Sequence, residues 1–254
     1  MPSRRRKESI TGFYHIIVKG INKERIFAHN REKSYFKKII LKHLERYEVE
    51  FYCYCIMSNH AHFIIRAELH CLSSFMAMIL AEYAMYYNYK HERNGHVFQN
   101  RFKSECIESE KYLLNCIRYI HMNPVKAGIV KHPQNYKYSS VNEYIEGNPS
   151  ILHINAMLLK ARYFNKTELF LSFHGEVCDT MVMDVLEDKK RQQEEMAIQI
   201  AETIKEENSF SLLCEVFEEK DTRKEYANEI KGILKTSDTR TQELMRIVRK
   251  KYMC

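Results

Sequence analysis

Tryptophan is absent from the 254 residues, and glycine (7) and proline (4) are scarce. With so few residues that interrupt regular structure, helices and strands must fill most of the chain, and collagen-like or low-complexity architectures are excluded. No apolar run approaches the ~18 residues that span a bilayer, which excludes a membrane helix. Met1–Lys7 carries four basic residues with no apolar stretch behind them, so a secretory signal is not expected either. Eight cysteines stand at 53, 55, 71, 106, 116, 178, 214 and 254, none of them spaced C-x-x-C, so a zinc knuckle or redox motif is excluded and reduced cytosolic thiols are expected. Aspartate is missing from residues 1–147, where 23 Lys/Arg face 14 Glu, a balance of +9; residues 148–254 balance at −2. The basic half should meet a polyanion, and nucleic acid is the default candidate because each phosphate contact releases counterions. A mean hydropathy of −0.48 with 45% hydrophobic residues gives a globular protein of one or two domains.

Three of the four prolines, Pro124, Pro133 and Pro149, gather with Gly128 and Gly147 in one stretch, the expected seam between domains. Before it, strand-like and helix-like segments alternate. Phe13–Lys19 is β-branched and aromatic, residues 31–47 place Phe36, Ile39, Ile40, Leu44 and Tyr47 at helical spacing, and Phe51–Met57 is a second strand. Ser58-Asn59 makes a tight turn into a third strand, His60–Arg66. A Met/Tyr-rich helix over 72–92, a two-faced strand over 97–106 and a helix over 110–123 stopped by Pro124 complete the series. The order β-α-β-β-α-β-α predicts an α+β, ferredoxin-like split βαβ sandwich: a four-stranded antiparallel sheet with helices on one face. Tyr83, Tyr86, Tyr87 and Tyr89 of the long helix are expected in the core. Helices over 190–207, 209–219, 223–234 and 239–251 follow, with Thr222-x-x-Glu225 and Thr239-x-x-Gln242 matching capping boxes. The division expected is an α+β domain over 1–150, a helical extension over 151–188 packing on it and a helical domain over 189–254. That last domain is either helix-turn-helix-like, with Arg240, Arg246, Arg249, Lys250 and Lys251 on its last helix, or a packing module.

His60-Ala-His62 opens the third strand, and residues i and i+2 of a strand face the same way, so both imidazoles can share one divalent metal. On the helix over 110–123, Tyr119 and Asn123 lie four apart at the edge of the buried face set by Leu113, Ile117 and Ile120. A phenol beside an amide there can serve as nucleophile and third ligand; alternatively Tyr119 packs by its ring and Asn123 caps a helix ended by Pro124.

Four blocks follow in order: Met57-Ser-Asn-His-Ala-His-Phe-Ile-Ile65, Asn94-Gly-His-Val-Phe-Gln-Asn-Arg-Phe-Lys-Ser104, Arg118-Tyr-Ile-His-Met-Asn-Pro-Val-Lys-Ala-Gly128 and Tyr136-Lys-Tyr-Ser-Ser140. Together they resemble the REP-associated tyrosine transposases, single-tyrosine members of the HUH nuclease superfamily, over roughly residues 8–175. The resemblance implies that His60 and His62 are metal ligands, with Asn123 in the position that completes the set, and that Tyr119 is the nucleophile. It implies Mg²⁺ or Mn²⁺ as cofactor and cutting and rejoining of single-stranded DNA at hairpin sites through a 5′-phosphotyrosine. Gln99, Arg101, Lys103 and Arg118, with the arm Arg4, Arg5 and Arg6, are the candidate DNA contacts. A cytoplasmic, nucleoid-associated monomer or homodimer without a membrane partner is the matching expectation. A regulator that keeps the fold and binds nucleic acid without cutting it is the alternative.

Overall fold

The β-branched and aromatic residues of Phe13–Lys19 form β1, and the apolar runs Glu50–Ile56 and His60–Arg66 form β2 and β3. Between the last two, Ser58 and Asn59 reverse the chain, and the Met57 amide donates to the His60 carbonyl at 2.9 Å. The computed structural model describes residues 6–176 and 181–252; Cys178 and Cys254 lie outside them. A fourth strand, β4, spans Lys103–Cys106, and all pairings are antiparallel in the order β2-β3-β1-β4, the ferredoxin-like arrangement expected.

The strand expected over 97–106 is confined to its last four residues. Val97 and Phe102 are buried, but residues 99–101 between them are exposed and lie outside the sheet ladder. Phe98 still bridges to Gly20 and the Gln99 amide donates to the Lys19 carbonyl.

Helices cover both faces of the sheet, not one. Helices α1 (Asn30–Leu44) and α2 (Leu69–Lys90) pack on the face of Ala61, Phe63 and Ile65, where Phe36 meets Phe63 and Phe75 meets Phe51. The opposite face carries Ile17, Cys53, Cys55 and Ile64, all buried and equally in need of cover. Helix α3 (Glu110–Lys126) supplies it, with the Cys53 thiol 3.9 Å from the Ile117 carbonyl.

Pro124 does not stop α3. The ring continues the buried face of Leu113, Ile117 and Ile120, and this packing offsets the rung lost where proline has no amide. The helix closes instead at Ala127, whose amide donates to the Asn123 carbonyl, and at Gly128, whose φ of 68° suits a residue without Cβ. Asn123 is therefore an interior residue of α3 and not its cap.

Residues 136–153 seal the outer edge of β2. Tyr138 accepts from the Ile56 amide at 2.9 Å, the Ser140 amide donates to the Tyr54 carbonyl at 3.0 Å, Tyr136 Oη donates to the Ile56 carbonyl at 2.7 Å, and the His153 amide donates to the Phe51 carbonyl at 2.8 Å. Helices α4 (Val141–Glu146), α5 (Ile154–Tyr163) and α6 (Thr167–Gly175) continue this extension. The chain divides into two compact units, Met1–Val182 and Met183–Cys254, and the proline-bearing stretch lies inside the first.

The second unit is made of α7 (Leu186–Glu207), α8 (Glu215–Glu218), α9 (Lys220–Leu234) and α10 (Asp238–Tyr252) around buried Phe217, Tyr226, Ile230, Leu244 and Val248. Tyr226 Oη donates to the Ala197 carbonyl, joining α9 to α7. Neither expected capping box forms, because both threonines fall inside helices: Thr222 donates back to the Val216 carbonyl, and Ser237 accepts from the Arg240 amide where Thr239 was expected to cap. On α10, Arg240 is engaged by Gln193, Glu194 and Glu243, whereas Arg246, Arg249, Lys250 and Lys251 are exposed.

Candidate metal and nucleophile site

The hairpin turn places His60 and His62 at the start of β3 on the face covered by α3, with ring centroids 4.9 Å apart. Asn59, the turn residue, accepts from His60 Nδ1–H at 2.7 Å, which puts the lone pair of the neutral ring on Nε2. His62 is fully buried, and its Nδ1 lies 3.0 Å from Nε2 of His15 on β1. Desolvation holds both rings neutral: His15 is pushed down to about 3, and His62 sits well below the ordinary histidine range, with His60 and His15 adding to the effect. Neutral imidazole is the form that ligates a metal.

Helix α3 brings Tyr119 onto this pair, its ring centroid 6.2 Å from that of His62 and the Lys126 ammonium 5.6 Å from the phenol ring. One turn further on, Asn123 is 2% exposed, and both polar atoms of its amide are buried with no hydrogen-bond partner among the described residues. A buried amide left in this state costs about 1–3 kcal/mol, which a protein keeps for a ligand more readily than for packing. Two imidazoles and an amide oxygen suit a divalent cation such as Mg²⁺ or Mn²⁺ whose remaining positions are filled by water and phosphate.

The other expected residues are distributed unevenly. Lys103 pairs with Ile17, which in turn pairs with His62, so its exposed side chain belongs to the sheet face of the histidines. Gln99 and Arg101 are exposed in the 98–102 loop and line a groove of about 530 Å³ with Leu80, Val97 and Phe98. Arg6 reaches the same groove, its guanidinium 3.7 Å above the Phe102 ring and donating to the Phe102 carbonyl. Arg118 is 5% exposed and is held by Asn115 at 2.8 Å, by Glu176 at 3.3 Å and over the Phe173 ring, so it braces α3 against α6 and presents no open guanidinium. Arg4 and Arg5 lie outside the described residues. Tyr83 and Tyr87 are core, as expected, while Tyr89 is exposed.

Sequence reasoning missed His15. Its signal was a lone imidazole in an apolar strand, at a position where period two points to a buried face.

Residues 10–123 match the family model described as IS200-like transposase. Over this segment the chain is similar to IS200-like transposases. A Haemophilus influenzae protein assigned as a REP-associated tyrosine transposase is 25% identical over 153 residues, covering 50% of this chain and 87% of that protein. A solved structure of a REP-associated tyrosine transposase bound to a REP hairpin aligns with a TM-score of 0.49 at 20% identity, covering 60% of this chain and 91% of the other. The matched segment contains β1 to β4 and α3 as far as Asn123, and so all of His15, His60, His62, Tyr119 and Asn123. Among the described residues no helix is long and apolar enough to cross a membrane.

Proposed function

We propose that the first unit is a transposase domain that cuts and rejoins single-stranded DNA at hairpin sites, with Tyr119 as nucleophile and His60, His62 and Asn123 as ligands of Mg²⁺ or Mn²⁺. The observation that carries the reading is the pair of histidines on one sheet face with the Tyr119 ring 6.2 Å from that of His62 and, one turn along the same helix, a buried amide with no partner among the described residues. The REP hairpin held by the aligned transposase supports hairpin DNA as the ligand class.

A divalent cation held by the three side chains would supply positive charge to a phosphate that otherwise repels the nucleophile. Tyr119 attacks the phosphorus in line: the Oη–P bond forms, the P–O3′ bond breaks, the phenol proton passes to water and the departing 3′-oxygen takes one up. The products are a 5′-phosphotyrosine and a free 3′-OH. Because the phosphodiester energy is retained in the covalent link, a second 3′-OH can reverse the step without ATP. Lys126 places a positive charge 5.6 Å from the phenol ring, where it can pair with the phosphate that Tyr119 attacks. Lys103, on the same sheet face as the histidines, can pair with an adjacent phosphate, and the Gln99 and Arg101 groove offers a path for unpaired nucleotides.

The test is incubation with labelled single-stranded hairpin oligonucleotides and Mn²⁺. A covalent protein–DNA adduct should map to Tyr119 and vanish in Tyr119→Phe, while hairpin affinity stays within about threefold because the ring is kept. An adduct that persists in Tyr119→Phe overturns the assignment.

A further inference from the structure

We infer that His15 is a positioning residue that sets the tautomer and the plane of His62; the inference rests on the reading of His62 as a metal ligand. β1 pairs with β3 so that His15 opposes Ile64 and lies diagonal to His62 on one sheet face. Its side chain is 0% exposed in a strand whose other inward residues are apolar. Any aliphatic side chain would fill such a place, and an imidazole is costly there unless it is hydrogen-bonded. Its one hydrogen bond among the described residues is the 3.0 Å contact with His62. The rings are only 25° from parallel with centroids 5.3 Å apart. That separation is what two rings meeting edge to edge across a 3.0 Å contact must have, so the contact runs close to the ring planes, as an N–H···N bond requires.

Two neutral imidazoles can place one proton in this contact. If His15 donates, His62 carries its own proton on Nε2 and has no lone pair there for a metal. If His62 donates from Nδ1, its Nε2 bears the lone pair, and His15 holds its proton on Nδ1. That Nδ1 is buried without a hydrogen-bond partner among the described residues, so no other group imposes a tautomer on His15. The choice is therefore made at His62. A cation on Nε2 makes Nδ1–H a stronger donor, and an acceptor at Nδ1–H makes Nε2 a stronger ligand; the two effects reinforce each other. Ligating histidines ordinarily donate their second N–H to a carboxylate, a carbonyl or water. Here an imidazole from the neighbouring strand fills that role, and it adds no negative charge to a site that must receive a phosphate.

The test is titration of Mn²⁺ alone, without DNA, into the full-length wild type and its His62→Ala, His15→Leu and His15→Gln variants, followed by calorimetry or by the electron paramagnetic resonance of free Mn²⁺. His15→Leu should weaken Mn²⁺ binding roughly 10–100-fold, as loss of a ligand's supporting partner typically does. His15→Gln, whose amide oxygen can accept from His62 Nδ1–H, should recover most of that loss. In the wild type with Mg²⁺, nitrogen-15 spectra of the imidazoles should show His62 protonated on Nδ1. A folded His15→Leu that binds Mn²⁺ as tightly as the wild type overturns the inference, and so does His62 protonated on Nε2 in the Mg²⁺-bound protein; the spectra decide if His15→Leu does not fold. Wild-type Mn²⁺ affinity that survives His62→Ala would instead overturn the ligand reading on which the inference rests.

Discussion

Lowering the pH should destabilise the first unit through a second pair of buried histidines. His121 of α3 and His174 of α6 are buried and hydrogen-bonded to each other at 2.8 Å. His174 Nδ1–H donates to the Phe170 carbonyl at 2.6 Å, so its Nε2 accepts from His121 Nδ1–H, and His121 Nε2 in turn accepts from Ser140 Oγ at 2.7 Å. Every proton in this chain has one place, and an extra one on either ring would face a donor or a second cation. Desolvation is the main cause that lowers both pKa values, His174 to about 4 and His121 well below the ordinary value, the latter helped by its neighbour. The folded state thus binds fewer protons than the unfolded state below pH ~6.5, and stability falls as pH drops from there towards the folded pKa values. At pH 5.5 an unfolded-state histidine with a pKa of ~6.5 gains about 1.4 kcal/mol from protonation, so the pair removes about 2.8 kcal/mol relative to pH 8. Against a total of ~5–15 kcal/mol for a typical domain this is a large share. Urea unfolding followed by tyrosine fluorescence, which no tryptophan obscures, should be compared at pH 8 and 5.5. The loss between the two pH values should shrink by about 1.4 kcal/mol in His174→Phe and by about 2.8 kcal/mol when His121→Phe is added, whatever the variants' stability at pH 8. Variants that lose as much as the wild type would refute the claim that the rings are neutral in the fold.

Three further outcomes are expected. Asn123→Leu removes a buried amide without partners and should hold or raise stability by up to about 1 kcal/mol while weakening Mn²⁺ binding, read by thermal unfolding and metal titration side by side. Loss of stability with unchanged metal affinity would make Asn123 a packing residue. His60→Ala or His62→Ala should abolish hairpin cleavage, and EDTA should do the same to the wild type; full cleavage in EDTA would remove the metal from the scheme. A chain ended near Glu187 should still cut single-stranded hairpins but bind flanking duplex more weakly and with a shallower salt dependence, because it lacks the exposed Arg246, Arg249 and Lys250 of α10. Equal duplex affinity and salt slope would leave the second unit as a packing or partner-binding module.

The sheet was legible because its strands announce themselves by β-branched and aromatic runs bounded by turns, and the H-x-H pair because strand periodicity alone puts both rings on one face. What the sequence hid were features decided by tertiary contact. Pro124 reads as a helix stop, yet its ring fills a gap in the core and the helix runs on, which moves Asn123 from a cap into the helix interior. The regular alternation over 97–106 reads as a strand, yet only Lys103–Cys106 joins the sheet and residues 99–101 turn to solvent. Arg118 sits beside Tyr119 and reads as a DNA contact, but adjacent helix residues diverge by ~100°, and this one turns into Asn115 and Glu176. His15 carried no sequence neighbour to mark it, since its partner lies 47 residues away.

The family match ends at Asn123, yet the fold does not. β2 is a seven-residue strand with six buried residues, and its outer edge is closed only by residues 136–153. A chain cut where the match ends would expose that edge as a long, apolar row of unpaired amides and carbonyls, the kind of surface that templates pairing with further copies. The other edge, β4, is four residues long and bears the exposed Lys103, a weak template by comparison. The extension after α3 therefore acts as a built-in guard against aggregation, and a minimal version of the first unit must keep the chain at least through His153.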